Sequence, residues 1–165
     1  MGNSGGVGSP VGPCGPSVNH LQRAPRHRDP RGSSVQLVDL LRSCELVAFV
    51  SVTDSARARA FYEATLGLPL VEESPFALVF DAHGTSLRVT PVADLRPLGS
   101  TVLGWAVSDI VEAVDTLTER GIVFEHYEGL DQDASGIWHS PGGAAVAWFR
   151  DPDGNILSLT QFLAA

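Results

Sequence analysis

The chain has 165 residues, 44% of them hydrophobic and 18% charged, with a formal net charge of −8. These values allow one ordinary domain with a sizeable core, and they exclude two full-sized domains and wholesale disorder. All 11 basic residues are arginine, so an acidic chain without lysine is poorly suited to nucleic acid, an anionic membrane, or Schiff-base and P-loop chemistry.

Residues 1–32 are punctuated by Gly, Pro, Ser and Asn, with Pro10, Pro13, Pro16, Pro25 and Pro30 spaced along them. Such a stretch buries too little apolar surface to offset its ordering entropy, so 1–43 reads as a flexible leader or an over-extended start. It holds Arg23, Arg26, Arg28, Arg31 and Arg42 against Asp29 and Asp39, which leaves the acidity to the remainder. It has no apolar signal core, and Gly6 breaks the myristoylation pattern. Ser34 is placed to cap a short helix carrying Leu37, Leu40 and Leu41 on one face. Cys14 and Cys44 stand far apart in no zinc or redox spacing, which suits a reducing cytoplasm. No apolar run approaches the length of a membrane span.

From about residue 44 one pattern occurs twice. Residues 46–52 read as an apolar strand, Asp54 as a helix cap, and Ala58, Phe61, Tyr62 and Leu66 recur at helical spacing before Gly67. Residues 102–107 read as a second such strand, followed by Asp109, then Ile110, Val114 and Leu117, then Gly121. Short strands follow each helix: 70–72, 76–81 and 86–91 in the first copy, 123–126, 144–150 and 156–162 in the second. Asp81-Ala82-His83-Gly84 and Asp151-Pro152-Asp153-Gly154-Asn155 supply the turns, because glycine tolerates positive φ and proline presets the bend. Two copies of strand, helix and three strands outweigh any single propensity.

Asp54, Arg59-Ala60, Phe61-Tyr62 and Leu66-Gly67-Leu68, together with Phe149-Arg150-Asp151-Pro152-Asp153-Gly154-Asn155, resemble the vicinal oxygen chelate superfamily. This is the glyoxalase, bleomycin-resistance and extradiol-dioxygenase group. Gly136-Ile137-Trp138 ahead of Ala147-Trp148-Phe149 resembles its small single-domain members. The resemblance implies an α+β fold in which two βαβββ modules, 44–95 and 99–165, curl a mixed sheet around a central cup. Helices would cover the outside, and a homodimer is expected because members often dimerise. It does not settle function, since the group holds lyases, epimerases, dioxygenases, thiol transferases and non-catalytic drug-binding proteins.

Catalytic members are similar in holding a divalent metal with His, Gln or Glu from four strands, where it polarises neighbouring substrate oxygens. The matching positions here are Val47, Arg88, Val102 and Ser158, a set that implies no metal and no cofactor. A one-residue slip brings no better donor. A different site from His126, His139 and Glu125 or Glu128 has no short ligand spacing behind it, and His83 sits in a turn.

With those four positions inward, alternation turns Val47, Phe49, Ser51, Ser86, Arg88, Thr90, Val102, Gly104, Ala106, Ile156, Ser158 and Thr160 to the cup. Val50, Val52, Leu87, Val89, Trp105, Val107, Leu157 and Leu159 would seat the helices. Two readings of Arg88 stand. Its guanidinium binds a ligand carboxylate, phosphate or enolate, or it pairs with an acidic side chain or reaches solvent at the rim. Residues 126–143 form an insertion whose glycines would let it act as a lid. There Tyr127 and Trp138 either stack on a flat ligand or pin the loop, while Trp148 is left as core, rim or dimer contact. His139, Glu125 and Tyr127 are the metal-free acid–base candidates.

The expected role is therefore binding of a small organic ligand, an anion where Arg88 contacts it, in a partly apolar cup, for sequestration, carriage or resistance. Phe49, Ser51, Arg88, Thr90, Tyr127, Trp138, His139 and Ser158 are its candidate contacts. The enzyme alternative is a glyoxalase-type lyase or isomerase with unusual ligands or metal-free acid–base groups. A third reading is a regulatory subunit with a vestigial cavity.

Overall fold

Strand alternation and two aspartate caps build the architecture. The computed structural model describes residues 41–162. The leader, apart from residues 41–43, and the helix expected on Leu37 and Leu40 lie outside the described residues.

Module one begins with β1 (Val47–Val52), in which Val50 and Val52 are buried and Val47 and Phe49 are exposed. Asp54 then caps α1 (Ser55–Arg59), its carboxylate accepting from the Arg57 amide at 2.9 Å. One regular helix was expected as far as Gly67, but the chain widens into a π-helical segment at Ala60–Thr65. There the Leu66 amide reaches back to the Phe61 carbonyl at 2.9 Å. The widened turn lies where two adjacent aromatics, Phe61 and Tyr62, both enter the core. Gly67, at φ +75°, ends it in the left-handed region.

Three antiparallel strands follow: β2 (Leu70–Glu73), β3 (Leu78–Ala82) and β4 (Thr85–Pro91). The sheet order is β1-β4-β3-β2, with β1 and β4 parallel and Phe49 opposite Arg88. In the β3–β4 turn Asp81 accepts from the Gly84 amide at 2.6 Å.

Module two repeats the plan. β5 (Thr101–Ala106) leads to Asp109, which accepts from the Val111 and Glu112 amides, and then to α2 (Ile110–Glu119). β6 (Trp138–His139), β7 (Ala145–Arg150) and β8 (Ile156–Gln161) complete the sheet in the order β5-β8-β7-β6.

The strand expected at 123–126 is reduced to a bridge between Phe124 and Phe149. The outer edge of β7 is shared by two pieces: Phe124 and the Glu125 amide at its C-terminal part, and Trp138–His139 at its start. The insertion between them breaks what is one continuous β2 in module one.

Buried residues on the helix sides of both sheets form one cluster. It includes Val50, Val52, Tyr62, Phe80, Leu87 and Val89 from module one, and Val114, Ala147, Phe149, Leu157 and Leu159 from module two. Trp105 packs there as well, stacked on Phe149 at 6.5 Å. Burying the alternate residues of eight strands on one side supplies the driving force, roughly 1.5–3 kcal/mol for each large apolar side chain. The other side of each sheet, here the open face, is left for function.

Candidate functional site

Register, read strand by strand, sorts the open faces. On module one Val47 stands opposite Ser86, Phe49 opposite Arg88 and Ser51 opposite Thr90. Arg88 also faces Val79 on β3. It is half-buried and makes no hydrogen bond or ion pair with the described residues, so an internal acidic partner is not found among them. Phe49 is 65% exposed beside it. A cleft of about 200 Å³ brings Phe49 and Ser51 together with Arg96, Leu98, Val102 and Asn155. The Ser51 carbonyl is tied by the Asn155 side-chain amide at 2.9 Å.

On module two Ser158 lies between Gly104 and Trp148, and Thr160 between Ala106 and Val146. Val102 falls at a register irregularity between Thr101 and Leu103. Trp138 pairs with Val146, so it shares the open face with Trp148; their rings are 6.1 Å apart. Tyr127 meets the same Trp148 edge-on at 5.6 Å. His139 pairs with buried Ala145, one residue out of phase with Trp138, and stands on the opposite face, exposed.

The structure therefore gathers Phe49, Ser51, Arg88 and Thr90 on one sheet, and Trp138 and Ser158 on the other, with Tyr127 of the insertion against Trp148. It sends His139 elsewhere.

The insertion, expected as a lid, is closed by its own hydrogen bonds. Gln132 donates from Nε2 to the Glu125 carbonyl at 2.9 Å and the Gly136 carbonyl at 2.7 Å, while its Oε1 accepts from the Tyr127 amide at 2.7 Å. Asp133 accepts from the Ser135 and Ile137 amides, and Ile137 is buried in the core. A loop clasped at both ends presents Tyr127 and Trp138 as a fixed wall.

The acid–base candidates are differently engaged. Glu125 pairs with Arg150 at 3.2 Å. Burial, and then the Glu125 carboxylate, push the Tyr127 phenol up, which keeps it protonated at neutral pH.

Two residues that shape the candidate site escaped the sequence reading. Trp148 belongs to the open face, and the signal was its place between Ala147 and Phe149, both core residues. Gln132 carried no sequence signal.

The two modules are locked by the turn of residues 151–155. Asp151 is 4% exposed and accepts from the Tyr62 hydroxyl at 3.0 Å, from Asn155 Nδ2 at 2.8 Å, and from the Asp153 and Asn155 amides. Burial and the Asp151 charge raise the Tyr62 phenol far above its usual value. Asp153 accepts from the Thr53 amide and hydroxyl and from Arg57 at 2.9 Å, while its Oδ2 is buried without a partner. Burial by itself would raise that carboxyl, but the Thr53 and Arg57 contacts outweigh it and hold it below the usual carboxylate range.

The four positions where metal-binding proteins of this shape place donors hold Val47, Arg88, Val102 and Ser158. Two offer no donor atom, one is a cation and one an alcohol, so this set does not fit a divalent ion. His126, Glu125 and Glu128 form no metal-binding group with His139, and no group of three His, Cys, Asp or Glu does so among the described residues. A larger cavity of about 540 Å³ lies on the helix side, between Leu66–Leu68 and α2, floored by Trp105 and Leu159. No described helix is long and apolar enough to cross a membrane.

Comparison with known proteins agrees with this geometry. The family profile described as the Glyoxalase/Bleomycin resistance protein/Dioxygenase superfamily matches residues 45–159. A superfamily member from Sphaerobacter thermophilus is 27% identical with a TM-score of 0.58, covering 73% of this chain and 98% of its own. TnmS3, an antibiotic binding protein from a Streptomyces species, is 27% identical with a TM-score of 0.53, covering 72% and 95%. A lactoylglutathione lyase from Agrobacterium tumefaciens is 22% identical with a TM-score of 0.54, covering 72% and 93%, a likeness of fold alone. No curated protein matches the sequence.

Proposed function

Because the chain belongs to the Glyoxalase/Bleomycin resistance protein/Dioxygenase superfamily, we propose that it binds a small organic anion on its open faces without a metal. Its role is then sequestration, carriage or resistance in the cytoplasm. The observation that carries this reading is Arg88: a half-buried guanidinium beside an exposed Phe49, with no partner among the described residues. An unpaired charge against apolar surface is costly, and a carboxylate or phosphate would offset that cost in bidentate fashion. The likeness to an antibiotic binding protein supports small-molecule binding. A lyase or isomerase is less well supported, since Glu125 is spent on Arg150 and His139 lies off the open face.

The working unit in this proposal is a homodimer. Val47, Phe49 and Leu98 leave apolar surface exposed on the open side of module one, which a second copy would cover.

A native mass spectrum of the full chain, purified without added metal or chelator, tests both parts. A metal-free dimer, with Arg88→Ala losing affinity for whichever anion is bound, is the expected result. A stoichiometric divalent metal, or full affinity in Arg88→Ala, overturns the reading.

A further inference from the structure

Resting on that binding reading, we infer that the ligand is a planar aromatic anion whose ring system stacks on Trp148. Tyr127, Trp138 and Trp148 form a contiguous aromatic group, with ring centroids 5.6 and 6.1 Å apart, outside the hydrophobic core. Leaving three large rings partly exposed forgoes some of their burial on folding, a loss that ligand contact recovers. Trp148 is held by β7 between two core residues, and the Gln132 clasp holds the backbone at the Glu125 carbonyl and the Tyr127 amide. The wall is thus ordered before any ligand arrives, which lowers the entropy cost of binding.

The neighbouring strands make the wall into a step. Beside Trp148 the open face drops to Ser158 and then to exposed Gly104; beside Val146 it drops to Thr160 and exposed Ala106. A side chain at position 104 would fit only with the Ser158 hydroxyl turned aside, since a Cβ there would stand 2.5 Å from that oxygen. Ser158 is buried, and its hydroxyl has no hydrogen-bond partner among the described residues, so a polar edge of the ligand that reaches it would supply one. A flat floor of small residues meeting a vertical indole admits a thin, rigid molecule with one face on Trp148. A bulky saturated ring would lose the face-to-face contact. The negative charge is taken from the binding reading, in which Arg88 on the open face of module one is the cation.

The test uses the full chain with 2-naphthoate and its saturated counterpart, decahydro-2-naphthoate, which share charge and ring connectivity. Calorimetry is expected to show saturable naphthoate binding about tenfold tighter than the saturated acid, the size of one aromatic stacking contact. Trp148→Leu should abolish that difference and Trp148→Phe should keep most of it. Trp105→Phe, on the helix side, should leave binding unchanged while removing part of the background fluorescence. Trp138→Leu provides a second variant should Trp148→Leu fail to fold, and it should weaken naphthoate in the same direction. Equal binding of the two acids overturns the aromatic inference and leaves the anion-binding reading intact. Failure of both acids to bind overturns both. Loss of dimer in Trp148→Leu with naphthoate affinity retained would make the wall a subunit contact, which also overturns the inference.

Discussion

The two modules share a strand plan, a helix capped by aspartate and a left-handed glycine stop, yet they differ on their open faces. Module one offers a charge and an exposed phenylalanine on strands that pair without interruption. Module two offers three aromatic rings and a floor of small residues, and its outer strand is split by a clasped loop. The helix sides, by contrast, are interchangeable apolar surfaces that merge into one core. Duplicate modules therefore keep what packing demands and diverge where nothing packs.

The comparison can be broken most severely at the lock between modules. Asp151→Ala strips the acceptor of the Tyr62 hydroxyl and of three groups in its own turn, all of them around a buried site. A loss of about 3 kcal/mol or more is expected from the stranded donors, read as a lower urea midpoint with an unchanged slope. A shift below about 0.5 kcal/mol would mean that the modules cohere through their apolar core alone.

A milder break acts through pH. Asp153 is held below its usual range in the folded chain, so the unfolded state binds the proton more readily. Its contribution is present in full above the unfolded carboxylate value of about 3.9, and fades as pH falls through the lower folded value. Asp153→Asn should therefore lower the thermal midpoint by a few degrees, on the order of 4 °C, at pH 7, and by less at pH 3. Equal effects at both pH values would remove the charge from the explanation.

Gln132→Ala sharpens the contrast between the continuous strand β2 and the split edge of module two. Three hydrogen bonds across the loop are lost, at about 1 kcal/mol each before water replaces them. Hydrogen exchange should rise at Tyr127 and across 132–137, while β1 to β4 stay protected. Unchanged exchange there would show that buried Ile137 alone anchors the loop.

The smallest effect on stability is expected for Gly104→Ala, at about 1 kcal/mol, because the Ser158 hydroxyl can rotate away from the new methyl group. Adding Ser158→Ala should restore that loss by removing the clash. Absence of coupling in this double-mutant cycle would mean that the two strands adjust their separation instead.

The fold was legible because its signals are local. Asp54 and Asp109 announce helix starts through their own carboxylates, Gly67 and Gly121 announce stops, and alternation in residues 46–52 separates buried Val50 from exposed Phe49. The placement of Arg88 on the open side of module one was legible for the same reason, since it interrupts a run of core residues. Legibility failed at the insertion. Residues 123–126 read as a strand, but pairing there depends on which edge of β7 remains free. His139 was grouped with Trp138 because they are adjacent, although neighbours on a strand point to opposite faces. The π-helical turn at Ala60–Thr65 also left no mark, because a widened turn shows in no residue spacing.

The sequence by itself determined the duplicated plan, the caps and turns, the apolar sides of the strands and the absence of suitable metal donors at four positions. The plan, caps, turns and apolar sides follow from residue type and local spacing, and the four positions from the family resemblance. Tertiary structure alone decided that the 151–155 turn ties one module to the other through Tyr62, Thr53 and Ser51. It alone decided that Gln132 fixes the loop, and that Trp138, Tyr127 and Trp148 meet. Those contacts join residues that lie 10 to about 100 positions apart or need a closed loop, and no local preference encodes them. They arise only when burial of the helix sides has set the sheets in place.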